Sequence, residues 1–312
     1  MKKTISIVTG TYNEEDNIRE FYDRVVAVMA GFPQYDYEII VADNRSTDRT
    51  RAVLREIAAT DRRFKCILNA NNFGPDRSTS HARHQAVGDA VVMIVSDLQD
   101  PPELIRDFIL KWEEGVPMVW GVRRRGDRRF ALLRNTYYRL MNWMSDIKQT
   151  PGFIGFGIFD RKVVDALRDY YAGDALPYVR GAIAEIGFEH FEIGYDQEVR
   201  KKGKSSYGFF GYYNFAMTGF VNYTKIPLRL AVFCGFLTGF LSILIALGYL
   251  VYKLLNWDNF QLGIAPLVIG LFFFSAIQLI FIGVIGEYIG AIWTQVKARP
   301  LVVEEERINF DP

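Results

Sequence analysis

The sequence predicts an α/β domain built on a mostly parallel sheet and followed by two membrane-spanning helices. Short β-branched runs alternate with helical patterns as far as residue 121, and a β-α-β-α order produces a parallel sheet covered on both faces. Further on, Leu230 to Tyr252 and Asn259 to Gly286 contain no Asp, Glu, Lys or Arg. Each run exceeds the ~20 residues that a helix needs to cross a bilayer, which argues against a purely soluble enzyme.

The individual elements follow from the same patterns. Strands are expected at residues 4–9, 37–42, 64–68, 90–95 and 118–121, with one or two more within 187–199. Helices are expected between the first five strands, at residues 15–29, 48–59, 76–87 and 102–114.

The 312 residues divide into four parts. We expect a cytosolic domain at 1–206, an interfacial amphipathic segment at 207–228, two transmembrane helices within 229–296 (about 229–254 and 261–293) and a cytosolic tail at 297–312. Basic residues flank the apolar runs, with Arg229 before the first and Lys297 after the second, so both termini are expected in the cytoplasm. The opening residues form a strand-like run and not a signal peptide. The alternative is that both apolar runs are helices buried in a globular core.

Composition excludes two further classes of protein. Half of the chain is hydrophobic, which is too apolar for a disordered protein. The formal charge is only +1, so there is no basic excess of the kind that nucleic-acid binding requires.

Polar clusters follow three of the predicted strands. Residues 11–14 follow the first strand, 43–48 the second and 97–100 the fourth. Ligands of parallel sheets bind outside the carboxyl ends of the strands. The three clusters therefore predict one crevice.

Two interpretations stand for each acidic cluster. Asp43 can accept hydrogen bonds from a nucleotide base or ribose, or it can cap the helix that follows, a role that suits Asp48 better. Asp97 and Gln99 offer the oxygen ligands that Mg²⁺ or Mn²⁺ prefers. Asp100 is better placed to cap a helix that starts at Pro102.

Two basic loops can bind phosphate. Arg123 and residues 200–204 can clamp phosphate groups, with arginine giving bidentate contacts. The alternative is a positive collar that contacts anionic lipid, which we favour for residues 124–129. The glycine-rich stretch 152–157 is not preceded by a strand, so it is not taken as a dinucleotide-binding loop.

Segments 11–15, 43–48, 72–74, 97–103, 160–164, 286–290 and 299–300 together carry a resemblance that runs along almost the whole chain. The chain resembles the membrane-bound polyisoprenyl-phosphate glycosyltransferases of glycosyltransferase family 2, which include dolichol-phosphate mannosyltransferases and bactoprenol glucosyltransferases. The string from Asp97 to Glu103 is the most specific of the segments.

The resemblance implies a GT-A fold, a nucleotide diphosphate sugar as donor, Mg²⁺ or Mn²⁺ as cofactor and polyprenyl (undecaprenyl) phosphate as acceptor. It also implies contact with membrane lipids at the cytoplasmic face of a bacterial inner membrane, and a homo-oligomer. The nucleotide-sugar residues by position are Thr11, Tyr12, Asn13, Glu14, Asp43, Ser96 and Asp97. The phosphate-binding residues are Arg123, Arg200, Lys204 and Ser205, the metal ligands are Asp97 and Gln99, and the catalytic residues are Asp97, Arg123 and Arg200.

Two departures from the family pattern matter. Val95 stands where the family usually has the first Asp of Asp-Ala-Asp, and Gly155 stands where it usually has an Asp proposed as a base. A polyprenyl phosphate is largely ionised at neutral pH, because the second pKa of a phosphate monoester is about 6. A missing base is therefore tolerable for a phosphate acceptor. The rival hypotheses are a transferase of the same fold that acts on a hydroxyl of a lipid-linked saccharide, and a non-catalytic membrane scaffold.

Overall fold

The computed structural model describes residues 2–124, 139, 141–145, 150–170, 178–198, 217, 221, 223–255, 264–297 and 299–310. The strands are β1 (Thr4–Thr11), β2 (Asp36–Asp43), β3 (Phe64–Asn69), β4 (Ala90–Met93), β5 (Met118–Arg123), β6 (Phe153–Asp160), β7 (His190–Tyr195) and β8 (Glu304–Ile308). The helices are α1 (Ile18–Ala30), α2 (Thr50–Thr60), α3 (Pro75–Gln85), α4 (Leu104–Glu113), α5 (Arg161–Tyr170), α6 (Val179–Glu185), α7 (Ile226–Leu255) and α8 (Ile264–Val296).

The strands form one sheet in the order β7-β5-β6-β4-β1-β2-β3-β8. β1 pairs in parallel with β2 and β4, β2 with β3, and β5 with β7. β6 runs antiparallel to β4 and β5, and β8 runs antiparallel to β3. The predicted α/β fold with a mostly parallel sheet is confirmed.

Apolar side chains cover both faces of this sheet. Successive strand residues point to opposite faces, so Ile5 and Ile7 of β1 pack with Phe21 and Phe108 of the helices on one side. Val8 faces the other side, where it belongs to the cluster that contains residues of α3, α5 and α6. The two layers bury most residues of the central strands β1, β2 and β4 and hold their carboxyl ends at one edge.

Strand β6 was not predicted, because its sequence is rich in glycine and phenylalanine. Residues 153–157 of the glycine-rich stretch, which was not taken as a dinucleotide-binding loop, belong to this antiparallel strand. Gly157 is required there, since a Cβ atom would lie 2.5 Å from the carbonyl oxygen of Val119 in β5. Close approach of two strands therefore explains this glycine.

The C-terminal segment was predicted only as a tail, and the structure adds a strand to it. Residues Glu304–Ile308 form β8, which closes the far edge of the sheet next to β3. The chain thus leaves the sheet, forms α7 and α8, and returns to the same sheet.

Helices α7 and α8 are long and apolar enough to cross a membrane. None of the residues in their most apolar windows is buried within the protein. Burial is what a core helix requires, so the alternative of two core helices is disfavoured. The predicted interfacial segment 207–228 lies mostly outside the described residues, and its last residues already belong to α7.

Candidate active site

The loops after β1 and β2 are joined by reciprocal hydrogen bonds. The backbone N–H of Asn13 donates to Ser46 Oγ (2.9 Å), and the side-chain oxygen of Asn13 accepts from the N–H of Thr47 (2.8 Å). The N–H of Glu14 donates to Thr50 Oγ1 at 2.8 Å. The first two predicted clusters therefore form one hydrogen-bonded unit at the carboxyl edge of the sheet.

All three predicted loops contain a residue with a left-handed backbone. The φ angles are 56° at Asn13, 62° at Arg45 and 58° at Leu98. Asn adopts this region readily, but a buried leucine does so rarely. Strained backbone that the surrounding structure maintains is concentrated at functional sites, which supports the assignment of this edge as the site.

Asp43 is fully buried at the end of β2. Its carboxylate accepts from the backbone N–H of Ser46 (3.1 Å) and from Nε of Arg51 (2.6 Å). The carboxylate thus shapes the loop that follows it and forms a buried ion pair. The sequence predicts a direct contact between Asp43 and a nucleoside. That contact would require Ser46 and Arg51 to move away from the carboxylate.

The floor between β1 and β4 is formed by small polar side chains. Ser96 is buried and donates its hydroxyl to the carbonyl of Gly10 at 3.0 Å. Thr11 is also buried, and its Oγ1 has no hydrogen-bond partner among the described residues. Tyr12 is half-buried beside it. The hydroxyl of Thr11 is thus enclosed at the strand end, and a ligand in the crevice would reach it only after a local rearrangement.

Asp97 and Gln99 lie half-buried after β4. Asp97 Oδ1 accepts from the backbone N–H of Gln99 at 3.2 Å, so a tight turn fixes the direction of this carboxylate. No cluster of three or more His, Cys, Asp or Glu suited to a metal ion occurs within the described part of the chain. Mg²⁺ typically needs only one or two protein carboxylates together with substrate phosphates and water. Asp97 fits that requirement as a hard oxygen ligand. Metal binding by Asp97 and Gln99 stays a prediction.

Asp100 does not cap a helix, which corrects the interpretation made from the sequence. Helix α4 begins at Leu104 without a side-chain cap. Asp100 is fully buried and accepts from Tyr195 Oη (2.5 Å) and Arg123 Nη2 (3.2 Å). Burial raises the pKa of Asp100, while the positive charge of Arg123 and the hydroxyl of Tyr195 counteract that rise.

Arg123 is the last residue of β5, and its guanidinium is hydrogen-bonded to Asp100 and Tyr195. Its Nε also donates to Tyr195 Oη at 3.3 Å, and a quarter of its side chain remains exposed. The guanidinium is therefore oriented by Asp100 and Tyr195 before any ligand arrives, as a preorganised phosphate contact requires. The other predicted phosphate residues, Arg200, Lys204 and Ser205, lie outside the described residues.

The structure describes the surroundings of Val95 and Gly155, the two residues that depart from the family pattern. Val95 is 43% exposed at the start of the loop after β4. Gly155 has a φ of 102°, and a Cβ atom there would meet no other atom within 4 Å. The space around Gly155 is thus open, but its backbone conformation favours glycine.

Sequence reasoning missed Arg51 and Tyr195. Arg51 lies in α2, where the sequence pattern predicts a solvent-exposed arginine. Only the structure shows that it forms an ion pair with Asp43. Tyr195 comes from β7, a strand far along the chain, and nothing in its local sequence predicts a contact with Asp100. Asn44 and Asn72, by contrast, lie in segments that the sequence had singled out, and Nδ2 of Asn44 donates to Oδ1 of Asn72 at 2.7 Å.

Comparisons with known proteins identify the family of the chain. The profile of glycosyl transferase family 2 matches residues 6–168. The chain belongs to glycosyl transferase family 2, and its sheet is the GT-A-like domain of that family.

Relatives match almost the whole chain. The uncharacterized glycosyltransferase YkcC of Bacillus subtilis is 36% identical over 98% of this chain and 94% of its own length. The SfII prophage-derived bactoprenol glucosyl transferase of Shigella flexneri is 30% identical over 99% of each chain. Among solved structures, mannosyl-3-phosphoglycerate synthase from Rubrobacter xylanophilus matches with a TM-score of 0.47 at 19% identity, over 69% of this chain and 71% of that one.

Proposed function

We propose that this chain transfers a sugar from a nucleotide diphosphate donor to undecaprenyl phosphate at the cytoplasmic face of a bacterial inner membrane. The product would be a lipid-linked sugar for surface-glycan synthesis. The observation that carries the proposal is the combination, in one chain, of a family 2 crevice and two apolar helices that return to the same sheet.

The donor half of the proposal rests on the three polar loops. Asn13 ties the first loop to the second, and Ser96 ties the third to β1, so their side chains share one edge of the sheet. The half-buried ring of Tyr12 offers an aromatic contact to a nucleoside, and the enclosed Thr11 hydroxyl would offer a polar contact once neighbouring groups move. Asp43, through Ser46, supports the loop that would enclose it.

Asp97, with Gln99, would hold Mg²⁺ or Mn²⁺ on the donor diphosphate. The bound ion would supply positive charge to the departing nucleoside diphosphate. Arg123 would add a fixed guanidinium to the same phosphates, since Asp100 and Tyr195 already hold it in place. Arg200, Lys204 and Ser205 are proposed to complete this phosphate contact.

The acceptor half rests on the helices and on relatives. A phosphate oxygen of the acceptor would form the new bond to the anomeric carbon, while the bond from that carbon to the diphosphate breaks. The nucleoside diphosphate leaves with the electron pair, and direct displacement inverts the configuration. Because the attacking phosphate is already an anion, the reaction does not need a base at the position of Gly155. The name of the Shigella relative, a bactoprenol glucosyl transferase, supports this acceptor.

The proposed topology follows from charge. Lys225 and Arg229 lie at the start of α7, and Lys297 and Arg299 lie just beyond α8. A hairpin with both of these ends on the cytoplasmic side satisfies the positive-inside rule. The homo-oligomer stays a prediction. An exposed carboxylate on α8, Glu287, is one group that a neighbouring copy would cover.

The proposal is tested with the purified full-length chain, undecaprenyl phosphate, Mn²⁺ or Mg²⁺ and a panel of nucleotide sugars. We expect one donor to yield a lipid product heavier by one sugar, detected by mass spectrometry. The absence of any such product across the panel would contradict the proposal.

A further inference from the structure

The segment that follows α8 is tied to the catalytic sheet at several points. The guanidinium of Arg77 donates to the carbonyl of Pro300 at 2.6 Å. Strand β8 then pairs with β3, and Glu304 Oε1 lies 2.5 Å from Nε2 of His81. We call residues 299–310 the C-terminal strap. Because only a few residues separate it from α8, the strap joins the end of the second apolar helix to the sheet.

Arg51 connects this strap to the buried carboxylate of the candidate site. Its Nε donates to Asp43 at 2.6 Å and its Nη1 donates to Glu305 of β8 at 2.8 Å. Its Nη2 donates to the carbonyl of Asn69, at the end of β3, at 2.5 Å. All three nitrogens of the guanidinium thus hold different parts of the chain.

The burial of these groups is graded. The side chain of Asp43 is 0% exposed, that of Arg51 17% and that of Glu305 54%. A fully buried carboxylate needs a charged or strongly hydrogen-bonding partner, because its water has been removed. Arg51 provides that partner and a planar fork with a fixed direction, which lysine does not offer.

Arg51 is connected through Asp43 to the loop after β2. Asp43 holds Ser46 through the backbone N–H, and Ser46 Oγ holds the backbone of Asn13. A displacement of the guanidinium would therefore pass through Asp43 to both loops of the donor half. Glu305 is the group that fixes the guanidinium from the side of the strap.

We propose that Arg51 is a positioning residue for nucleotide-sugar binding, and that Glu305 makes the C-terminal strap a functional part of the donor site. This inference rests on the proposed function, since it assigns the donor to the crevice beside Asp43. Neither residue contacts the donor. Both act by holding Asp43 and the loop that it supports.

The chain contains a matched control for this arrangement. Arg55 lies one helical turn beyond Arg51 in α2, and Glu306 is the residue after Glu305 in β8. The two form an ion pair of 2.6 Å whose side chains are 47% and 40% exposed. Arg55 and Glu306 join the same two elements, but their pair does not include Asp43.

The experiment compares Arg51→Lys and Glu305→Gln with Arg55→Lys and Glu306→Gln in the full-length chain. Binding of UDP, GDP, CDP and dTDP with Mn²⁺ is measured by calorimetry, and kinetics are measured with the donor identified on the panel. We expect Arg51→Lys to raise the KM for the donor by about tenfold, and Glu305→Gln by about threefold, at an unchanged KM for undecaprenyl phosphate. The two control variants should change the donor KM by less than about twofold. Thermal unfolding of all four variants checks that they are folded.

The outcomes are distinguishable. Equal donor KM values in the Arg51 and Arg55 variants would overturn the inference, as would a parallel rise in the KM for both substrates. If the unaltered chain bound none of the four nucleotides, the proposed function would fail and the inference with it. Normal binding by the unaltered chain with no effect of either site variant would overturn the inference alone.

Discussion

The catalytic sheet and the helical hairpin are both rich in apolar residues, but they place them in opposite ways. In the sheet domain, Ile5 and Ile39 of the strands and Phe108 of α4 are fully inaccessible, and helices cover both faces of the sheet. In α7 and α8, apolar side chains such as Phe240 and Leu279 are 60% and 68% exposed. The same residue types are thus protected from water by protein in one region and need another apolar medium in the other.

This difference shows how the work is divided along the chain. The sheet fixes polar loops against each other through short hydrogen bonds, as a site that must be preorganised requires. In the hairpin, Tyr288 Oη of α8 donates to the carbonyl of Thr224, just before α7, at 2.7 Å, outside the polar loops of the sheet. We infer that the hairpin determines where the protein lies and the sheet determines what it binds.

The largest contrast is expected from the same substitution made in each region. Phe21→Arg places a charge in the fully buried core and should cost about 4 kcal/mol or more, enough to unfold the catalytic domain. Phe240→Arg should cost about 2.5–3.5 kcal/mol for membrane insertion and leave nucleotide binding in detergent intact. Membrane fractionation and calorimetry measure the two effects, with Phe21→Leu and Phe240→Leu as controls. Loss of nucleotide binding in the Phe240→Arg protein would show that the two regions do not separate in this way.

The second effect concerns chemistry alone. Asp97→Ala should lower turnover at least about a thousandfold, or about 4 kcal/mol of barrier, because the metal ligand is lost. Folding and membrane association should not change, and Asp107→Ala, on the exposed face of α4, should retain turnover. Near-normal turnover of the Asp97→Ala protein would refute the metal role.

The third effect concerns the acceptor. Its reactivity comes either from a base in the sheet domain or from the charge of its own phosphate head group. Gly155 has a φ of 102°, so any side chain there should cost about 1–3 kcal/mol of stability. The matched comparison is therefore Gly155→Asp against Gly155→Ala, in single-turnover assays. If the acceptor is already ionised, the two rates should differ by less than about tenfold. A much faster Asp variant would mean that a base limits the reaction.

The smallest effect concerns the strap between the two regions. A hydrogen bond from Arg307 lowers the pKa of Glu304, burial opposes this, and His81 adds to the lowering. A carboxyl group whose pKa is lowered in the folded protein stabilises the fold at pH values above its ordinary pKa. That contribution disappears as the pH falls through the folded-state pKa. Glu304→Gln should therefore cost about 0.5–1 kcal/mol at pH 7 and less at pH 3, as measured by thermal unfolding. An equal difference at both pH values would contradict this assignment.

The sequence predicted those parts of the molecule that depend on local pattern. β-Branched runs and helical periodicity identified the central strands and helices to within a few residues, and uncharged runs identified α7 and α8. It failed for β6, where Gly157 permits close strand contact, and for β8, whose charged residues pair with groups distant in the chain. For the site, the loop residues were identified, but Arg51 and Tyr195 were missed because their partners are set by tertiary structure.

The most direct test of the central claim is a comparison of acceptors for the purified full-length protein with its donor and metal. Undecaprenyl phosphate as sole acceptor should give a lipid-linked sugar, and chelation of the metal should abolish the product. Transfer only to a hydroxyl of a lipid-linked saccharide, with none to the isoprenoid phosphate, would contradict the account.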